Sequence, residues 1–220
     1  MGFTLSTEAQ WLLALGSALF WTMAYVLLIL KGFRDRTCGM PLAALCANLA
    51  WELLWAFILP FHPVQQIVTV IWLALDGVIL LQLLRYSQNG LSPRTLRITV
   101  GALFAIALLL HVGTAVELHD PQGKYSAFAI NLMMSLLFIR MALIRGRFGQ
   151  SLGIAWTKML GTLCASLWSY SLYPHSVLLN MLYVLIAAAD GTYILLLHKD
   201  ATRVVPTKKK KNRPSDFTFL

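Results

Sequence analysis

An all-α, polytopic membrane protein, a bundle of seven transmembrane helices, is the fold this sequence predicts, and three observations predict it. Of its 220 residues 58% are hydrophobic and only 12% charged, and the mean hydropathy is +0.69. A soluble domain carries about 25% charged residues, so water is not the solvent for most of this surface. Apolar runs of span length recur along the chain, and basic residues gather in every second connection between them.

The runs cover residues 11–30, 41–60, 64–84, 96–117, 126–144, 153–172 and 176–197. A helix rises 1.5 Å per residue, so each is about long enough to cross ~30 Å of hydrocarbon. Isolated strands are excluded at that depth, because lipid offers no partner to an open backbone edge. The first run follows Met1–Gln10, which contains Glu8 and no Lys or Arg. A cleavable signal peptide would have a basic leading segment, so this run is expected to remain as the first helix. Residues 1–200 read as one membrane domain, and 201–220 as a basic, disordered tail resting on anionic lipid.

The connections give the orientation. Lys31, Arg34 and Arg36 follow the first run; Arg85, Arg94 and Arg97 the third; Arg140, Arg145 and Arg147 the fifth; and Lys199 opens a tail with Arg203, Lys208–Lys211 and Arg213. Of 18 basic residues only Lys124 and Lys158 fall elsewhere. The rule that cytoplasmic loops are Lys/Arg-rich puts the amino terminus outside and the tail in the cytosol, of either a bacterial cell membrane or the endoplasmic reticulum. The net charge of +9 is therefore a topology signal and a lipid contact, not a nucleic-acid footprint. The cysteines, Cys38, Cys46 and Cys164, are odd in number and widely spaced, which fits packing rather than disulfides or zinc.

Ionisable groups inside spans cost about 2.5–3.5 kcal/mol each on insertion scales. Glu52, Asp76, Lys158 and Asp190 are such groups, with His111 and Glu117 nearer the outer end of the fourth run. Asn48 shares a face with Glu52, Trp51 and Trp55 form a neighbouring stripe, Trp72 lies one turn before Asp76, and Tyr193 lies three residues after Asp190. An ordinary role would be interhelical hydrogen bonding, with Lys158 paired to Asp76 or Asp190. A chemical role also fits. An apolar cavity favours the neutral carboxylic acid, since desolvation disfavours the anion; such an acid can protonate a weak base, and aromatic faces stabilise a cation. Protonation of an alkene or epoxide, followed by carbocation cyclisation, suits that set. No Asp-Asp-x-x-Asp box, Asp-x-Asp-Asp motif, His-Glu-x-x-His helix, Gly-x-Ser-x-Gly elbow or phosphate loop occurs, and a reaction started by a proton requires no metal or organic cofactor.

Three stretches resemble a known family. They are Gly39-Met40 with Cys46, Asn48 and Ala50-Trp51-Glu52, closed by Pro60; His111 followed by Glu117; and Tyr173-Pro174 with Asp190-Gly191 and Tyr193 downstream. In this order they resemble the small integral-membrane terpene cyclases of meroterpenoid and indole-terpenoid pathways, of the pyripyropene, paxilline and drimentine type, over roughly residues 11–200. The resemblance implies that Glu52 and Asp190 are the two essential intramembrane acids. It also implies a prenylated aromatic or indole substrate whose farnesyl-type chain is folded into fused rings. The chain departs from the family pattern at Asp76, where a less acidic residue is expected, and at Lys158, where the basic residue is of another kind.

The expectation is that Glu52 and Asp190 face one another across an apolar cavity, one delivering the initiating proton and the other orienting it or taking the closing one. Asn48 is expected to hold Glu52 by hydrogen bond, and Trp51, Trp55, Trp72, Asp76 and Tyr193 to border the substrate. A proton-coupled transporter is the alternative; it favours helix-breaking residues in mid-span, whereas Pro41, Pro60, Pro63 and Pro174 lie at span ends.

Overall fold

The computed structural model describes residues 5–86 and 91–202, and every regular element among them is helical. They are α1 (Thr7–Asp35), α2 (Leu42–Leu53), which runs on as a π-helical turn (Leu54–Ile58), α3 (Pro63–Tyr86), α4 (Pro93–Glu117), α5 (Lys124–Arg145), α6 (Leu152–Leu172) and α7 (Val177–Thr202). The tail beyond 202, with Lys208–Lys211, lies outside the described residues.

Local chemistry explains where several helices start. The hydroxyls of Ser6, Ser92 and Ser151 accept hydrogen bonds from the backbone N–H groups of Ala9, Thr95 and Ile154, satisfying donors that a first turn leaves free. Pro63 and Pro93 stand in first turns, where a missing N–H costs nothing. Before α5, Gly123 takes φ +67° and offers no side-chain cap. The Asp120 carboxylate instead accepts from Tyr125 N at 2.9 Å and sets negative charge at the positive end of the helix dipole.

Five helices are long and apolar enough to span a membrane: α1, α3, α4, α5 and α7. Their large side chains face outward; Leu109 is 73% and Leu12 71% exposed, which is sensible only against lipid. The apolar stretch Leu42–Ile58 is shorter and buried on most of its faces. Helix α6 carries Lys158 and a row of inward hydroxyls. Small residues close the contacts: a Cβ on Gly161 of α6 would lie 2.7 Å from Trp21 of α1, so only glycine allows the two backbones this approach. The fold is the polytopic helical membrane protein that the sequence predicts.

The connections mark two ends. At one, the rings of Trp11 of α1 and His62 meet at a tilt, centroids 5.7 Å apart, and Tyr173 donates to Gln122 at 2.9 Å. At the other, Gly149 N donates to Asp35 at 2.8 Å, and Arg147 Nε to the carbonyl of Leu197 at 3.1 Å.

Candidate functional site

A cavity of about 200 Å³ lies among α1, α2, α3, α5 and α6. It runs from Asn131 and Met134 in the middle of α5 to Phe61, Gln122 and Tyr173 at the end of the bundle that holds the amino terminus. One helical stripe of α1, Ala14, Ala18, Trp21 and Tyr25, forms a wall: the small residues make the space, and the aromatic ones border its deep part. Trp51, Trp72, Phe128 and Trp168 add apolar faces.

Glu52 is 2% exposed and lines this cavity. Its Oε1 accepts from the Tyr25 hydroxyl at 2.9 Å, and that hydroxyl accepts from Asn48 Nδ2 at 2.7 Å. Asn48 thus holds Glu52 through Tyr25, not by the direct bond expected from their shared helix face. Asp76 approaches from α3 and stands against Asn48, Glu52 and Tyr25, yet neither of its oxygens reaches hydrogen-bonding geometry, nor does Oε2 of Glu52. Two buried carboxyl groups therefore sit side by side, short of partners.

The aromatic residues divide into wall and support. Trp51 and Trp72 line the cavity, their indole N–H groups donating outward to Gly123 O at 3.1 Å and to Thr22 Oγ1 at 3.1 Å. Trp55 stands behind Trp51, stacked at 4.9 Å, with its N–H on Pro121 O at 2.9 Å. Gly123 closes this corner: a Cβ there would lie 2.3 Å from the Trp55 ring. His111, buried on α4, meets Trp55 edge-on and lies 3.0 Å from the carbonyl of Ala47, whereas Glu117 is exposed at the end of α4.

Asp190 does not line the cavity. It is buried behind it, where Oδ1 binds Lys158 Nζ at 2.7 Å and accepts from the Ser135 hydroxyl at 2.7 Å. Lys158 also donates to Asn131 Oδ1 at 2.8 Å and to Ser135 at 2.7 Å, so its three N–H bonds are all used. Asn131 links this network to the cavity wall. Glu52 thus lines the cavity and Asp190 does not, the aspartate being held by Lys158 of α6 and Ser135 of α5. Tyr193 is also remote: it stacks on Phe138 at 5.4 Å, and its hydroxyl binds Gln150.

Of the residues singled out from the sequence, Glu52, Asn48, Trp51 and Trp72 line the cavity, Asp76 abuts Glu52, and Trp55, Asp190 and Tyr193 stand outside it. Sequence reasoning missed Trp21, Tyr25, Asn131 and Trp168. Positions 14, 18, 21 and 25 are spaced as one helical face, a pattern from which the α1 wall could have been found.

The family described as Pyr4-like transmembrane terpene cyclases matches residues 5–198. The terpene cyclase macJ of Penicillium terrestre is 29% identical, with 90% of this chain and 86% of that protein covered. The Pyr4-family terpene cyclase mfmH of Annulohypoxylon moriforme is 28% identical over 80% of each chain. The terpene cyclase ptmB of Penicillium ochrochloron is 30% identical, covering 83% of this chain and 82% of its own. No solved structure matches. With the match spanning all seven helices, the chain belongs to the family of Pyr4-like transmembrane terpene cyclases.

Proposed function

We propose that this protein cyclises a farnesyl-type chain carried on an aromatic or indole head group, by protonating its terminal alkene or epoxide at Glu52. One observation carries this reading: a buried carboxyl on an aromatic-walled cavity, with one oxygen held by Tyr25 and the other without a partner. Two adjacent buried carboxylates repel strongly in a low dielectric, so Glu52 and Asp76 hold at least one proton between them. That proton adds to the substrate, and the cation formed is stabilised by the faces of Trp51, Trp72 and Trp21 as it closes rings. Loss of a proton from carbon ends the sequence, so proton gain and loss balance and the net reaction is an isomerisation needing no metal or cofactor.

Asp190 takes a different part. It neutralises Lys158, which fixes Asn131 at the cavity wall; the second family acid then shapes the site without touching substrate.

The basic connections belong in the cytosol on charge grounds, so the cavity reaches the opposite face. The relatives named above are fungal, which favours the endoplasmic reticulum membrane, with the substrate's tail admitted from the luminal side.

Membranes containing the chain, supplied with plain and epoxidised farnesyl-aromatic substrates in D₂O, test the reaction. Alkene protonation leaves one deuterium fixed on carbon; epoxide protonation leaves it on an exchangeable hydroxyl. Absence of any cyclised product from either class overturns the proposal.

A further inference from the structure

We infer that the cavity continues past its mouth into an outer chamber that holds the substrate's head group, a planar ring bearing both a hydroxyl and a carbonyl. A second space of about 320 Å³ adjoins the acid-lined cavity and shares Ala14, Ala18, Gln65, Gln122 and Trp168 with it. About 150 Å³ is enough for one benzene ring, so a head of one or two rings has room there. The α1 stripe explains its position: the face that carries Ala14 and Ala18 continues one turn earlier to Gln10 and Trp11. Leu15 of α1 and Val64 of α3, 53% and 40% exposed, form its lipid-facing edge, so a substrate dissolved in the bilayer reaches it sideways.

Three polar side chains that line this chamber select the head. The Thr69 hydroxyl donates to the backbone carbonyl of Gln65 at 2.8 Å, so it can only accept from the Gln65 side chain. That fixes Gln65 Nε2 on Thr69, at 3.2 Å, and leaves Oε1 open. Gln122 Oε1 accepts from Tyr173, which leaves Nε2 open. His62 Nδ1 accepts from Val64 N at 3.2 Å, so the ring hydrogen sits on Nε2. Among the described residues none of these three atoms meets a hydrogen-bond partner. The chamber therefore offers one acceptor and two donors. A hydroxyl answers Gln65 and a carbonyl answers Gln122 or His62, whereas a ring without oxygen displaces water and leaves them unpaired, which costs affinity. Indole brings an N–H but no matching acceptor. The deep chamber is the reverse, an acid amid the faces of Trp21, Trp51 and Trp72. On the cyclisation proposed above, the far end of the isoprenoid chain lies there and the ring stays at the mouth.

The test is photolabelling of the full chain in nanodiscs with the farnesyl ether of para-hydroxybenzophenone, mapped by peptide mass spectrometry. Attachment is expected in the outer chamber, at Trp11, Leu15 or Val64. Attachment only at Asn131 or Met134 of the deep chamber, or no attachment that excess unlabelled competitor suppresses, overturns the placement. Competition against the same label reads the polar contacts. A para-hydroxyacetophenone with a farnesyl group ortho to its hydroxyl should displace the probe at about tenfold lower concentration than farnesylbenzene. In Q65L/Q122L the two competitors should become equal. Equal displacement from the wild type overturns the selection whether or not the variant folds, and a folded Q65L/Q122L that still discriminates overturns its assignment to these glutamines. Labelling requires no turnover, so failure here leaves Glu52 as the acid, while a chain that cyclises nothing can still carry the label at the mouth.

Discussion

Glu52 and Asp190 are both carboxylic acids buried in helices, yet their partners give them different chemistry. Glu52 meets neutral groups, Tyr25 and through it Asn48, beside a second acid, Asp76; Asp190 meets an ammonium. Removing one member of a buried ion pair strands the other charge and costs about 3–5 kcal/mol. Lys158→Met is therefore expected to lower the melting temperature sharply, and Lys158→Met with Asp190→Leu to restore most of it. If the single variant melts like the wild type, the ion pair does not hold this region together. The acids were legible in the sequence because charge at that depth is costly and stands out. That only Glu52 lines the cavity was not, since whether Lys158 turns to Asp76 or Asp190 depends on how α6 rotates against α3 and α7, which no local spacing encodes.

At the scale of elements, the turn between α4 and α5 positions the cavity wall. Gly123 takes a left-handed φ, accepts the Trp51 N–H and lies under the Trp55 ring. Gly123→Ala adds about 1–2 kcal/mol of backbone strain and a clash with the indole, and should lower the melting temperature by at least ~2–4 °C. Thermal unfolding in detergent checks this; an unchanged transition would show that the turn relaxes freely. The seven runs were readable from hydropathy, and their ends agree with the helices to within five residues. The π turn at Leu54–Ile58 was not readable, because an unbroken apolar run looks the same in α and π registers. The fold reveals its supports: Leu59 N bonds to Leu54 O at 2.8 Å, and Gln66 Nε2 takes the carbonyl of Ala56 at 2.8 Å.

For the whole molecule, charge sets orientation and orientation sets access. The proposed orientation, with the basic connections in the cytosol, predicts that a glycosylation acceptor fused before Thr7 is modified in fungal microsomes and that one inserted in the connection after α5 is not. The reverse pattern would place the cavity mouth in the cytosol. The cavity itself required the fold, since its walls come from five helices that are distant in sequence. The stripe on α1 and the Trp51–Glu52 pair were its only local traces.

Glu52 is the proposed acid that starts the reaction, and turnover of purified Glu52→Gln in nanodiscs tests that role most directly. General acid catalysis contributes about 10²–10⁴-fold. A variant that melts like the wild type but forms cyclised product at least 10²-fold more slowly is the expected result. Turnover within a factor of about three of wild type, from a folded Glu52→Gln chain, would contradict it.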